Sequence, residues 1–277
     1  MSFENAGNGP MAPETCRYGS SRLLFRGPRR DLDQPYCAVI GGTETYGKFI
    51  PTPFAALLEQ AVGLPVVNLG CVNAGLDVFV NDSAVMEVAA GARVTVIQAL
   101  GAQNMSNRFY VVHPRRNDRF LRASAMLKAL YPGIDFTEYH FTRHLLGALR
   151  EKSPTAFEIV VAELQMAWQA RMRMLATRLP GAKVLLWLST RPPEGEQHVC
   201  GLGDDPLFVT RHMLDTVRPY FNQVVEVTDS AEARAAGAQG MLVGELDAPA
   251  AAVLPGPAVH DEVAEVLQPV LRDLLAD

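Results

Sequence analysis

The sequence lacks most of the features that mark secreted, membrane-embedded and nucleic-acid-binding proteins. It has only four cysteines, widely spaced and without a Cys-x-x-Cys pair, which excludes the disulfide framework of small secreted domains. No stretch approaches the roughly 20 apolar residues of a membrane-spanning helix. The net charge of -5 opposes binding to phosphate backbones. We therefore expect reduced thiols, no membrane partner and no nucleic-acid partner.

The N-terminal segment 1–35 also lacks a signal. It is polar, rich in glycine and irregular, and we predict that it forms an irregular arm before the α/β domain. It has neither the basic start nor the apolar run of about 7 to 15 residues that a secretory signal needs. These features predict a cytoplasmic location.

Five short apolar runs have the length and composition of buried strands. With 48% apolar and 20% charged residues the chain has an ordinary globular composition, and residues 36–277 are long enough for a single α/β domain. The predicted strands cover residues 36–40, 65–68, 94–97, 183–188 and 224–227.

Segments with helical spacing separate these strands. Strands that alternate with helices predict parallel pairing with helices on both faces, which is a three-layer, doubly wound, mostly parallel five-stranded sheet of the flavodoxin-like type. Residues 102–152 exceed a simple crossover, so we predict a helical insertion after the third strand that covers the sheet edge. The predicted helices cover residues 54–62, 157–179, 206–220 and 261–275, with parts of 118–130 and 136–149.

The loop after the first strand, residues 41–47, is the strongest candidate for a working site because ligands gather at the carboxyl ends of parallel strands. Residues 42–48 fit the pattern G-x-x-x-x-G-K of a nucleotide-binding P-loop, with Lys48 as the phosphate ligand. Phe49 stands where that motif needs a hydroxyl, and Glu44 places a carboxylate inside the cradle. A P-loop nucleotide-binding protein or a sulfotransferase is therefore the less favoured interpretation.

Taken together, the loops resemble the SGNH or GDSL-like hydrolase superfamily. That superfamily has Gly-Asp-Ser after its first strand, Asn-x-Gly after the second, Gly-x-Asn-Asp after the third, and a catalytic histidine before the last helix. In this chain residues 39–43 are similar to the first block, 68–75 to the second and 100–104 to the third, while 256–260 resemble the last. The resemblance implies an SGNH-like fold. The Gly-Gly-Thr-Glu-Thr-Tyr-Gly stretch is also similar to an uncharacterised bacterial family.

The resemblance implies roles for particular residues. Thr43 takes the place of the nucleophile and His260 that of its base, which would take the hydroxyl proton during attack. The implied oxyanion donors are the Thr43 amide with Gly70 or Gly75 and Gln103 or Asn104. The implied activity is hydrolysis or transfer of an acyl ester on a polar small molecule or a glycan, without a cofactor.

Three departures from the pattern leave a second interpretation open. Thr43 replaces the usual serine, Gly42 replaces the aspartate beside it, and Pro257 occupies the position of the acid that orients the histidine. Without that acid a triad can lose about 10⁴ in kcat. The alternative is a catalytically degenerate binding protein for an anionic or sugar ligand. Self-association into a homo-oligomer is compatible with either.

A basic cluster follows the third predicted strand. It contains Arg115, Arg116 and Arg119, whose planar guanidinium groups can bind an anion through paired hydrogen bonds. Alternatively, these arginines pair with nearby acids on a solvated loop. Asn107 precedes the cluster and is a candidate ligand-binding amide. His140 and His144 have a spacing seen in zinc sites, but no third ligand accompanies them, so we predict no metal site.

Overall fold

The computed structural model describes residues 13–194 and 202–276. Its strands, numbered along the chain, are β1 (Thr15–Cys16), β2 (Phe25–Arg26), β3 (Cys37–Gly41), β4 (Val66–Gly70), β5 (Val94–Gln98), β6 (Tyr110–His113), β7 (Arg116–Ala123), β8 (Ala182–Ser189) and β9 (Gln223–Thr228). All five predicted strands are confirmed, and they form a parallel sheet in the order β4-β3-β5-β8-β9. The two pairs outside the main sheet are antiparallel: β1 with β2, and β6 with β7.

Helices cover both faces of the main sheet, as predicted. They are α1 (Thr43–Tyr46), α2 (Phe54–Val62), α3 (Leu76–Val80), α4 (Ser83–Gly91), α5 (Ala125–Leu130), α6 (Thr142–Lys152), α7 (Pro154–Thr177), α8 (Arg211–Val217), α9 (Ala231–Ala236), α10 (Ala248–Ala251) and α11 (Pro257–Ala276).

Side chains alternate between the faces along each strand, so Ile40 packs with α3, α4 and α7, whereas Val39 packs with α2 and α11. Burial on both faces explains why these strands are continuous apolar runs.

The strand order reverses between β3 and β5. The chain winds outward from β3 to β4 and then returns to place β5 on the other side of β3. In open α/β sheets this reversal opens a crevice beyond the carboxyl ends of the two strands, where ligands bind. The loops after β3 and β5 therefore border the same crevice.

The insertion after the third core strand differs from the prediction. It begins with the β6–β7 hairpin, so residues 118–123 are strand rather than helix, and α5 and α6 follow. Along β6 buried residues alternate with half-buried ones, and in β7 Asn117 and Phe120 are buried, which suits a hairpin lying on the core. Asn117 shows why local propensity did not predict this hairpin. Its side chain is fully buried and accepts hydrogen bonds from the amides of Gly75 and Val78, which lie far away in the sequence.

Three cysteines, Cys16, Cys37 and Cys71, are buried free thiols. The fourth, Cys200, lies outside the described residues. Within the described ranges no helix is both long enough and apolar enough to cross a membrane.

Candidate functional site

The turn from β3 into α1 is narrow because glycines allow three chain segments to meet. A side chain on Gly41 would lie 2.0 Å from Thr45 Oγ1. One on Gly70, at the end of β4, would lie 2.3 Å from the Tyr46 amide nitrogen. Since real Cβ atoms never approach other atoms so closely, both positions require glycine for packing. The turn thus brings Thr43 to the open end of the sheet.

Gln98 organises this turn, although its role was not recognised from the sequence. Its Oε1 accepts hydrogen bonds from the Gly42 amide at 2.9 Å and from Thr45 Oγ1 at 2.7 Å. Its Nε2 donates to Glu44 Oε2 at 3.0 Å. Burial raises the pKa of the Glu44 carboxyl, and the nearby Asp205 adds to the effect. The only indication of this role in the sequence is the position of Gln98, a polar residue at the end of the mainly apolar strand β5.

The P-loop interpretation is wrong. The amides of Tyr46 and Gly47 donate to the carbonyls of Gly42 and Thr43 inside α1, so they do not face a phosphate. Lys48 lies 3.8 Å from Asp247 and stacks over the ring of Phe49, and α2 begins only at Phe54. A P-loop needs its lysine at the phosphate and a continuous helix after it, and this turn offers neither.

Thr43 contacts a polar chain that leads to a carboxylate. Its Oγ1 accepts a hydrogen bond from the Asn73 amide at 2.9 Å, and Asn73 Nδ2 donates to Asp118 Oδ2 at 3.4 Å. Asn73 has a left-handed backbone with φ of 56°, which asparagine tolerates better than most residues. Burial raises the pKa of Asp118. Sequence reasoning did not assign Asn73 or Asp118 to this site.

His260 has a different environment from the one its sequence position implies. It lies in the first turn of α11 with only 1% of its surface exposed. Its Nδ1 accepts a hydrogen bond from the Phe54 amide at 3.1 Å, and its ring stacks on that of Phe54 at 5.7 Å. Burial, and secondarily Arg26, lowers its pKa to about 4. The imidazole thus satisfies the N-terminus of α2, whereas the Thr43 hydroxyl bonds with Asn73.

The proposed oxyanion donors divide into two groups. The amides of Gly70 and Gly75 already donate to Asn68 Oδ1 and Asn117 Oδ1, so neither is free to bind a ligand, and the sequence-based assignment is corrected. Gln103 and Asn104, by contrast, line the same cleft as Thr43.

Both of these side chains are held in place at the cleft wall. Asn104 Oδ1 accepts a hydrogen bond from Thr142 Oγ1 at 2.7 Å, which leaves its amide nitrogen as the donor for a ligand. Gln103 Nε2 donates to Asp205 Oδ1 at 3.2 Å.

Asn107 and the arginine cluster do not line the cleft. Asn107 Oδ1 accepts from the amides of Phe109 and Tyr110, so the side chain shapes the turn before β6. Arg115 and Arg116 are exposed at the β6–β7 turn, and Arg119 lies over the Phe141 ring at 5.8 Å. Of the two interpretations of Arg115 and Arg116, a solvated loop therefore fits the structure better than an anion-binding site does.

The cleft itself has a volume of about 1050 Å³ at the carboxyl ends of the strands. The ring of Phe141, 46% exposed, forms part of its rim near Thr142 and Arg143. Residues 250 and 252–256 also line it. Among the described residues, no group of three His, Cys, Asp or Glu side chains is arranged to hold a metal ion.

His260 gives the first testable prediction. Its pKa falls from 6.5 to about 4 on folding, so folding favours the neutral ring. That contribution is fully present above about pH 6.5 and is lost as the pH falls towards about 4, by up to about 3 kcal/mol. Urea unfolding should therefore show that the stability advantage of the wild type over His260→Gln shrinks across this window. A constant difference would contradict a buried neutral imidazole.

Comparison with known proteins identifies the family. A family model described as a domain of unknown function, DUF6473, matches residues 1–275. The chain belongs to the DUF6473 family. None of the curated proteins is similar to this DUF6473 chain in sequence.

Several solved structures share the architecture of the DUF6473 chain. A carbohydrate esterase family 2 enzyme from Corynascus thermopiles (Myceliophthora fergusii) is 12% identical over 92% of this chain and 73% of its own, with a TM-score of 0.48. A family 2 carbohydrate esterase from Clostridium thermocellum is 13% identical over 91% and 67%, with a TM-score of 0.43. A protein of the G-D-S-L family from Desulfitobacterium hafniense DCB-2 is 12% identical over 86% and 99%, with a TM-score of 0.35. At these identities the similarity concerns the fold, and the activities remain those of the other proteins.

Proposed function

We propose that this DUF6473 chain binds a polar, hydroxyl-rich ligand of the saccharide class in the cleft at the carboxyl ends of its strands. The observation that carries the proposal is the convergence of Thr43, Asn104 and Asp118 on one cleft with the exposed ring of Phe141 at its rim. Hydroxyl, amide and carboxylate groups supply the hydrogen bonds that orient a polyol, and an exposed aromatic ring supplies an apolar face.

The environment of His260 favours binding over the Thr-His chemistry implied by the resemblance. A general base must reach the proton that it removes, either directly or through one water. The Nδ1 of His260 is occupied by the Phe54 amide, and the lowered pKa of the ring makes it a weak base. These contacts support a structural role for His260, which stabilises the N-terminus of α2 from its position in α11.

Ester hydrolysis or acyl transfer is the second candidate, favoured by the position of Thr43 at the start of α1. In this alternative Thr43 Oγ1 attacks the acyl carbon while one water carries its proton to Asp118, which is joined to Thr43 by the hydrogen bonds of Asn73. Asp118 then returns the proton to the departing alcohol, and the acyl-threonine is released to water or to an acceptor hydroxyl. The raised pKa of Asp118 suits that role better than an ordinary carboxylate would. The free amide nitrogen of Asn104 would stabilise the oxyanion.

Titration with D-glucose, followed by NMR, tests the binding function. We expect saturable shifts of cleft amides in the wild type and an affinity about three- to tenfold lower in Phe141→Ala, because the stacked ring contributes about 0.5 to 1.5 kcal/mol. Leu121→Ala is the matched control, since Leu121 is also about half exposed, at 52%, but does not line the cleft.

Equal affinities in the two variants would count against the proposed cleft. The same samples, assayed for release of p-nitrophenol from p-nitrophenyl acetate, separate the two candidates. Turnover that is lost in Thr43→Val but kept in His260→Gln would establish the second candidate, and no turnover would leave binding alone.

A further inference from the structure

Two buried oxygens at the cleft lack hydrogen-bond donors. Among the described residues, Gln103 Oε1 and Asp118 Oδ1 are enclosed side-chain acceptors without a partner, and both residues line the cleft. Gln103 is only 4% exposed, so water reaches it poorly. A buried acceptor without a donor costs about 1 to 3 kcal/mol, so such a pair calls for a ligand that presents donors.

The charges of the cleft favour the same kind of ligand. Its cations are already paired within the chain: Arg143 with Asp205 at 2.7 Å and Arg234 with Asp229 at 3.0 Å. Lys48 lies 3.8 Å from Asp247. The carboxylates of Glu44 and Asp118, in contrast, have hydrogen bonds only to amide groups in the described part of the chain. A cationic group on a ligand would give these carboxylates the opposite charge that the chain does not pair with them.

We propose that the ligand carries a protonated amino group, which donates to Asp118 in the cleft, so that the preferred ligand is an aminated polyol. This inference rests on the proposed function and specifies its substrate class. A neutral hydroxyl can donate to the same oxygens, but it does not offset the carboxylate charge. An anionic sugar would add a like charge to Glu44 and Asp118, which is unfavourable in a partly buried site.

Three probes with one ring skeleton separate these cases: D-glucosamine, D-glucose and N-acetyl-D-glucosamine. They differ in whether one ring position carries an ammonium, a hydroxyl or a neutral amide. Titration at about pH 6.5, where the amine is protonated, should give at least about tenfold tighter binding of D-glucosamine than of the other two, since charge-assisted hydrogen bonds are roughly twice as strong as neutral ones.

The variant Asp118→Asn keeps the shape of the side chain and removes its charge. It should reduce the ratio of the D-glucosamine affinity to the D-glucose affinity to less than about threefold, whatever its effect on the D-glucose affinity itself. Asp273→Asn makes the same charge change on an exposed position of α11 and should leave the preference unchanged.

The outcomes separate this inference from the proposed function. Equal binding of the three sugars by the wild type would overturn the ammonium site and leave polyol binding intact. A preference that survives in Asp118→Asn would also overturn it. Binding of none of the three would overturn both proposals.

Discussion

Asn117→Ala is expected to lower the free energy of unfolding by about 3 to 5 kcal/mol, one of the two largest effects we predict. Asn117 is 0% exposed and joins two loops. Its Oδ1 accepts from the amides of Gly75 at 3.1 Å and Val78 at 3.0 Å, and its Nδ2 donates to the His113 carbonyl at 3.0 Å. Alanine removes the acceptor of the Gly75 amide and the donor of the His113 carbonyl, each costing about 1 to 3 kcal/mol, and leaves the Val78 amide only its bond to the Gly75 carbonyl at 3.3 Å.

Chemical denaturation measures this loss, and Asn222→Ala provides the control. Asn222 Oδ1 accepts from the Lys183 amide at 2.9 Å, but the residue is exposed, so water replaces the lost bond. We expect a cost below about 1 kcal/mol there. Similar losses in the two variants would show that Asn117 does not hold the β6–β7 hairpin against the start of α3.

Gly75→Ala is expected to destabilise the protein by about 3 kcal/mol and to disturb the cleft. A methyl group on Gly75 would lie 1.7 Å from the Asn104 carbonyl oxygen, so the two loops must separate. Because Asn104 lines the cleft, ligand affinity should fall together with stability. Thermal unfolding and the D-glucose titration would measure both effects.

Gly147→Ala is the matched control for that substitution. Gly147 lies inside α6 with open space around it, so alanine should raise the free energy of unfolding by about 0.5 to 1 kcal/mol through its higher helix propensity. If Gly75→Ala were as well tolerated as Gly147→Ala, the close approach of the two loops would be wrong.

Local patterns were sufficient for the core of the fold. The five strands are apolar runs bounded by turn residues, and helix α2 has the predicted bounds 54–62 because Pro53 and Gly63 flank an amphipathic stretch. The β6–β7 hairpin was missed because its residues take their conformation from contacts with distant loops. Asn117 alone bonds across 42 residues to Gly75.

The candidate site was predicted in part. The strand-end loops identified Thr43, Gln103 and Asn104, which share one cleft because parallel strands bring their carboxyl ends to one edge. Spacing along the chain could not reveal that Gly70 and Gly75 have their amides occupied. It also gave no sign that Asn73 and Asp118 would become the polar neighbours of Thr43.

The sequence by itself determined a parallel α/β sheet, the turn that presents Thr43 and the sheet edge at which we propose that a ligand binds, since these follow from periodicity, glycine placement and strand direction. Only the tertiary structure decided the chemistry of that edge. A side chain's hydrogen bonds and burial depend on which distant residues pack against it, and for His260 this is Phe54, 206 positions away. Because of that contact, His260 stabilises the N-terminus of α2 instead of bonding to Thr43. The polar neighbours of Thr43 in the cleft are Asn73 and, through it, Asp118.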